Sequence, residues 1–124
     1  MKDLVVDVCP SKTHDLLYYA SLCVSEGATI ASECAVLGTP AIYVNSLNLG
    51  YIEEQRNNRV LYSIRDDSQL LDLVSELLGS LKEIKKSIRE RTQKLLEKKI
   101  DLTEYMLNVV DDFVIQKTNK DKQK

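Results

Sequence analysis

The sequence predicts an α/β fold, built on a small parallel sheet and finished by a helical C-terminus. Three observations carry this. Leu22 to Val24 and Ala41 to Val44 are short and apolar, as buried parallel strands are. They are separated by a segment long enough for a helix, which parallel pairing requires and a hairpin does not. From Leu81 onward, apolar residues recur at roughly helical spacing among Lys, Glu and Arg.

Each element has its own signals. Leu4 to Val8 is valine-rich and loosely alternating, which predicts a first strand ended by Pro10 and Ser11. Thr13 or Ser11 is placed to cap a helix over about His14 to Ala20. Leu22 to Val24 is the next strand. A small-residue turn, Ser25 to Thr29, leads into a helix over Ile30 to Leu37. Gly38 suits the left-handed position just past a helix end, and Pro40 prevents continuation. Ala41 to Val44 is the third strand. A polar loop, Asn45 to Gly50, precedes a short helix over Tyr51 to Asn57. Val60 to Tyr62 is a possible fourth strand. Asp66, Asp67 or Ser68 caps a helix running to about Leu78, with Gly79 beyond it.

Three or four strands alternating with helices imply a parallel sheet covered on both faces. So small a sheet reads as part of a doubly wound domain rather than a whole one. The next helix carries Leu81, Ile84, Ile88 and Leu95. Asp101 opens the last helix, with Glu104 three residues on as in a capping box and Ile100 and Tyr105 spaced as a hydrophobic staple. Tyr105, Met106, Val109, Val110, Phe113 and Val114 form one apolar stripe. Lys117 to Lys124 has no apolar anchor and is expected to be disordered. Residues 1–79 are thus expected to form the α/β unit, 80–116 helices packing on it, and 117–124 a disordered tail.

Length and composition narrow the functional classes. With 124 residues the chain makes one domain, and 44% apolar with 29% charged residues is ordinary for a soluble globular protein. No apolar run approaches the length of a membrane span, and the N-terminus lacks a signal-peptide pattern. Cys9, Cys23 and Cys34 form no close-spaced pair, which points to buried thiols in a reducing cytoplasm. A single histidine argues against a zinc site, and no metal or cofactor is expected. Residues 1–79 hold 5 Lys/Arg and 11 Asp/Glu, whereas residues 80–124 hold 12 and 8. The basic end reads as the solvated faces of two helices rather than a nucleic-acid surface.

The chemistry concentrates at the turn from Ser25 to Thr29. The first N–H groups of a helix have no helical partner, so a strand-to-helix turn can hold an anion. Gly27 and Ala28 keep the turn narrow enough for a phosphate to approach the backbone. The Thr29 hydroxyl and the N–H groups near Ala28 to Ile30 are candidate diphosphate ligands. Thr29 and Glu33 are four apart and share a helix face. The two oxygens of Glu33 suit the paired hydroxyls of a sugar. The plainer reading stands beside this one: small residues are common at such turns, and the dipole alone favours a glutamate early in a helix.

The run Glu26-Gly27-Ala28-Thr29-Ile30-Ala31-Ser32-Glu33, followed by Leu37-Gly38-Thr39-Pro40, resembles the nucleotide-binding signature of GT-B glycosyltransferases and UDP-N-acetylglucosamine 2-epimerases. It looks most like an uncharacterised prokaryotic glycosyltransferase-like family, from about Val5 to Val114. Asp15-Leu16-Leu17-Tyr18-Tyr19-Ala20 is similar to the family's helix before this strand. The resemblance implies the Rossmann-like C-terminal domain of such an enzyme without its first strands, and a UDP-sugar as ligand. It implies that Gly27, Ala28, Thr29 and Ile30 hold the diphosphate and Glu33 the ribose. It places Cys9 and His14 beside the nucleobase, and Glu54 and Gln55, with Asn45 and Glu53, on the donor-sugar side; read from the residues alone, His14 is a helix cap or surface residue and Asn45, Glu53, Glu54 and Gln55 are a solvated helix face. Two departures stand out. Glu26 replaces a frequent serine or aspartate, and the family's N-terminal acceptor and catalytic domain has no counterpart here. The resemblance therefore implies a donor-binding half, with the catalytic residues unknown, completed by a separate chain or left by truncation. The alternative expectation is a non-catalytic interaction module that folds against a partner or a second copy.

Overall fold

Three parallel strands form the sheet, in the spatial order β1 (Cys23–Ser25), β2 (Ala41–Val44), β3 (Tyr62–Ile64). The computed structural model describes the backbone of residues 5–121 and the side chains of residues 5–115. Among the described residues, six α-helices accompany the strands: α1 (Thr13–Tyr19), α2 (Ala28–Leu37), α3 (Gly50–Asn57), α4 (Leu70–Gly79), α5 (Leu81–Leu96) and α6 (Leu102–Asp121). The fold is therefore α/β with a small parallel sheet, of the partial Rossmann-like kind.

The sheet is one strand smaller than its largest expected size. Residues 5–8 form no strand, and Leu4 lies outside the described residues. Val5 and Val6 are well exposed, so their valine content reflects no burial here. Pro10–Lys12 is a single 3₁₀ turn running into α1, which begins without a side-chain cap from Ser11 or Thr13. The last strand starts at Tyr62 rather than Val60: the Val60 N–H donates to the Gln55 carbonyl at 3.0 Å, which ties it to α3, and pairing with β2 begins at Tyr62.

The crossover helices share one face. Along β2, Ala41 and Tyr43 point to one side and Ile42 to the other. Ala41 and Tyr43 join a core with Ala31, Cys34 and Ala35 of α2 and Ile52 of α3. Sequential strand order with right-handed crossovers puts both helices on the same side. On the opposite face Ile42 is fully buried, but Val24 on β1 is 47% exposed.

The end of α2 is closely fixed. Gly38 has φ +73°, and a Cβ there would come within 2.7 Å of Arg89 Cγ on α5. The buried Thr39 hydroxyl donates to the Leu17 carbonyl at 2.9 Å, tying the next residue to α1. The buried Thr92 hydroxyl of α5 donates to the Ala35 carbonyl at 2.9 Å. Lys85 Nζ donates to the Ala20 carbonyl just before β1, and Arg91 to the Arg59 carbonyl just before β3. Thus α5 crosses the N-terminal ends of the strands and leaves their C-terminal ends open.

Asp66 caps the turn before α4, accepting from the Ser68 N–H at 2.9 Å. Asp101 caps α6 through the Glu104 N–H at 3.0 Å. The helix then runs past Lys117 to Asp121, so part of the expected disordered tail is helical, while residues 122–124 lie outside the described residues. Every residue from 101 to 115 is exposed, whereas α5 lies against α2 and α4.

Gly38→Ala is expected to destabilise the chain by at least about 1–2 kcal/mol, because the left-handed backbone and the contact with α5 both oppose a side chain. Urea unfolding of the variant beside the wild type measures this; equal midpoints would contradict the assignment.

Candidate functional site

The β1–α2 turn lies at the C-terminal end of its strand, where ligands of open α/β sheets bind. Ser25 shapes it. The Gly27 N–H donates to Ser25 Oγ at 3.0 Å, and Ser25 Oγ donates to the Gly27 carbonyl at the same distance. Asn45, directly after β2, donates through Nδ2 to the Glu26 carbonyl at 3.2 Å and accepts from the Leu47 N–H. Two neighbouring strand ends are thereby stitched together at the turn.

This leaves the start of α2 open. Gly27 is its N-cap, in an extended conformation and without a side-chain cap. The first helical backbone bond is from the Ala31 N–H to the Gly27 carbonyl. Among the described residues, the N–H groups of Ala28, Thr29 and Ile30 have no hydrogen-bond partner. Thr29 is exposed beside them. Three adjacent donors with the positive end of a ten-residue helix behind them form an anion-binding arrangement. Gly27 has negative φ, and a Cβ on it would meet only Ser25 Oγ in ordinary contact. Its use is to leave the approach open, not to supply an unusual backbone.

His14 and Glu33 are brought together from different helices. His14 Nε2 lies 3.4 Å from Glu33 Oε2. Glu33 is half-buried and follows Thr29 by one turn of α2. A carboxylate held beside an imidazole can accept from a diol on one side while the ring borders the ligand on the other. Cys9 is exposed, with Sγ 3.3 Å from Ser11 Oγ. The hydrogen bond from the Ser11 side chain, then that from its backbone, holds the Cys9 thiol below its usual range.

The other expected residues are engaged elsewhere. Gln55 is buried, and its Nε2 donates to Ser32 Oγ at 2.8 Å, joining α3 to α2. Glu54 pairs with Lys99 after α5, and its carbonyl accepts from Asn58 Nδ2 at 2.8 Å. Gln55 joins two helices, and Glu54 ties α3 to the connection after α5. Glu53 pairs with Arg56 within α3. The residues that shape the turn are Ser25 and Asn45. Their signal in the sequence is position: each closes a neighbouring parallel strand with a short polar side chain.

A concavity of about 700 Å³ lies elsewhere, lined by Arg56, Arg59, Tyr62, Asp72, Glu76 and Arg91 among others. Its cations stand beside two carboxylates, and Arg91 is occupied by the Arg59 carbonyl and Ser87. The turn presents the freer donors, on an open surface. No group of three or more potential metal ligands occurs among the described residues. No described helix is long and apolar enough to cross a membrane. No protein family, curated protein or solved structure matches the chain.

Cys23 of β1 and Cys34 of α2 meet in the core. Hydrogen bonding with Cys34 lowers the Cys23 pKa to about 7 against the effect of burial, while the same contact and burial raise that of Cys34. In a Cys9→Ser chain, alkylation by iodoacetamide is expected to rise through about pH 7 and to map to Cys23 before Cys34. Mass mapping that finds Cys34 modified first would reverse the donor assignment.

Proposed function

We propose that this chain is the donor-nucleotide half of a GT-B-like glycosyltransferase or 2-epimerase-like enzyme, with a UDP-sugar as ligand. The observation that carries this reading is the set of unpaired N–H groups of Ala28, Thr29 and Ile30, one helical turn from Glu33 and its neighbour His14. The diphosphate sits on the N–H groups and the Thr29 hydroxyl. Glu33 accepts from the ribose hydroxyls, and His14 borders the nucleobase end. Backbone donors fixed before the ligand arrives stabilise charge that builds on a departing diphosphate. Three free thiols suit a reducing cytoplasm.

The open form of the site supports a half-enzyme. The turn is surface rather than cleft; Gln55 is bonded to Ser32 of α2 and Glu54 is paired with Lys99. A second domain supplies the opposite wall, the acceptor and the catalytic base, so the chain alone binds but does not turn over. Isothermal titration with UDP tests this. Wild-type chain is expected to bind saturably, and Glu33→Ala to bind about tenfold or more weakly while unfolding at the same temperature. Equal affinity in the variant removes Glu33 from the site.

One observation favours the interaction-module reading. The Cys23 N–H donates to the Pro40 carbonyl, so Cys23 turns its backbone to β2 and Val24 turns its own outward. An edge strand of this kind is a template for another chain. A chain that ignores UDP, yet has its Val24 amide protected from hydrogen exchange by a partner, supports the module instead.

A further inference from the structure

The outer edge of β3 opens onto a groove with a helix as its far wall. β3 pairs with β2 through Tyr62, Ser63 and Ile64, and the Ile64 carbonyl accepts from the Asn45 N–H. Alternation along a parallel strand then turns the main chains of Tyr62 and Ile64 toward β2 and that of Ser63 outward. The groove, about 700 Å³, has Leu61 to Ile64 on one side and Asp72, Leu73 and Glu76 of α4 on the other. Asp72 and Leu73 lie four and three residues before Glu76, so the three share one helix face. At the start of the groove α3 stops with two bonds, Val60 N–H to the Gln55 carbonyl at 3.0 Å and Arg59 N–H to the Arg56 carbonyl at 2.9 Å. Such a stop usually places glycine at its left-handed residue. Here that residue is Arg59, with φ +56°, the one non-glycine of positive φ among the described residues. A cation is thus kept where the backbone alone would favour glycine. Among the described residues, the Arg59 guanidinium and the carboxylates of Asp72 and Glu76 have no hydrogen-bond or ion-pair partner.

We propose that an extended segment of a partner polypeptide adds to β3 as a strand in this groove, with a basic side chain toward Asp72 and an acidic one toward Arg59. The outward main chain of Ser63 offers a donor and an acceptor, which an added strand uses. Charge sets the composition of that strand. Arg56, Arg59 and Arg91 line the groove together with Asp72 and Glu76, so a uniformly acidic or uniformly basic segment meets like charge on one wall. Geometry sets its direction. α4 begins five residues after β3 ends and Asp72 lies in its first turn, so Asp72 stands toward the end of β3, whereas Arg59 precedes β3. In a segment antiparallel to β3 the basic residue therefore comes first and the acidic one after it. Four residue steps between them span about 13 Å of extended chain. The groove is on the opposite edge of the sheet from β1 and shares no residue with the β1–α2 turn, so this pairing is independent of the nucleotide reading.

Titration of the full chain with the peptide Lys-Val-Thr-Val-Glu, capped at both ends, tests the proposal. Saturable binding is expected, with hydrogen exchange of the Ser63 amide slowed in the complex. Arg59→Gly is expected to bind the peptide about tenfold more weakly, yet to unfold at no lower a temperature, because glycine suits the left-handed backbone. A merely structural arginine would give the reverse. Asp72→Lys is expected to lose affinity for this peptide and to prefer Glu-Val-Thr-Val-Glu, since the basic position then faces a cation. Four results overturn the proposal: no saturation at millimolar peptide, binding that leaves Ser63 exchange unchanged, equal affinity in Arg59→Gly, or a Ser63 amide protected in the chain alone as its concentration rises, which would make a second copy the occupant.

Discussion

The C-terminal stop of α2 is the constraint on which the rest depends. Gly38 turns the chain in the left-handed region under Arg89, and Thr39 is bonded to the end of α1. Thr92 holds the Ala35 carbonyl from the other side. These contacts fix where the helix ends and its rotation about its own axis. The position of the free N–H groups at its other end follows, as does the direction of Glu33. A slip of one residue would turn Thr29 and Glu33 by about 100° around the axis, because an α-helix has 3.6 residues per turn.

The two ends of the sheet therefore differ in use. Its N-terminal ends are closed by α5, whose Lys85 and Arg91 satisfy carbonyls before the outer strands. Its C-terminal ends carry only short polar connections, Ser25 and Asn45. Rigidity at one end leaves open backbone donors at the other, on a surface without a deep cavity. The exposed Val24 and the outward backbone of β1 extend that open character along one edge.

Much of this was legible in the sequence, for local reasons. Gly38 and Pro40 punctuate a helix and strand, and the structure has both within two residues of the expected bounds. The β1–α2 turn was visible because small residues between an apolar strand and a helix have few other uses. Val5 to Val8 misled because valine content cannot distinguish a paired strand from a segment that, among the described residues, pairs with none. Gln55 misled for a different reason. A polar residue on a short helix reads as solvent-facing, and only the approach of Ser32 from α2 shows that it is buried. The meeting of His14 with Glu33, 19 positions apart, depends on how α1 packs on α2, which no local pattern encodes.

Amide chemical shifts of ¹⁵N-labelled chain during titration with UDP test the central claim most directly, because they report on the proposed donors one by one. The account predicts saturable shifts concentrated at Ala28, Thr29 and Ile30, with the Gly27 amide, already bonded to Ser25, moving less. Shifts confined to Arg59, Tyr62 and Arg91, or none at saturating UDP, would contradict it and move the search to the cavity beside β3.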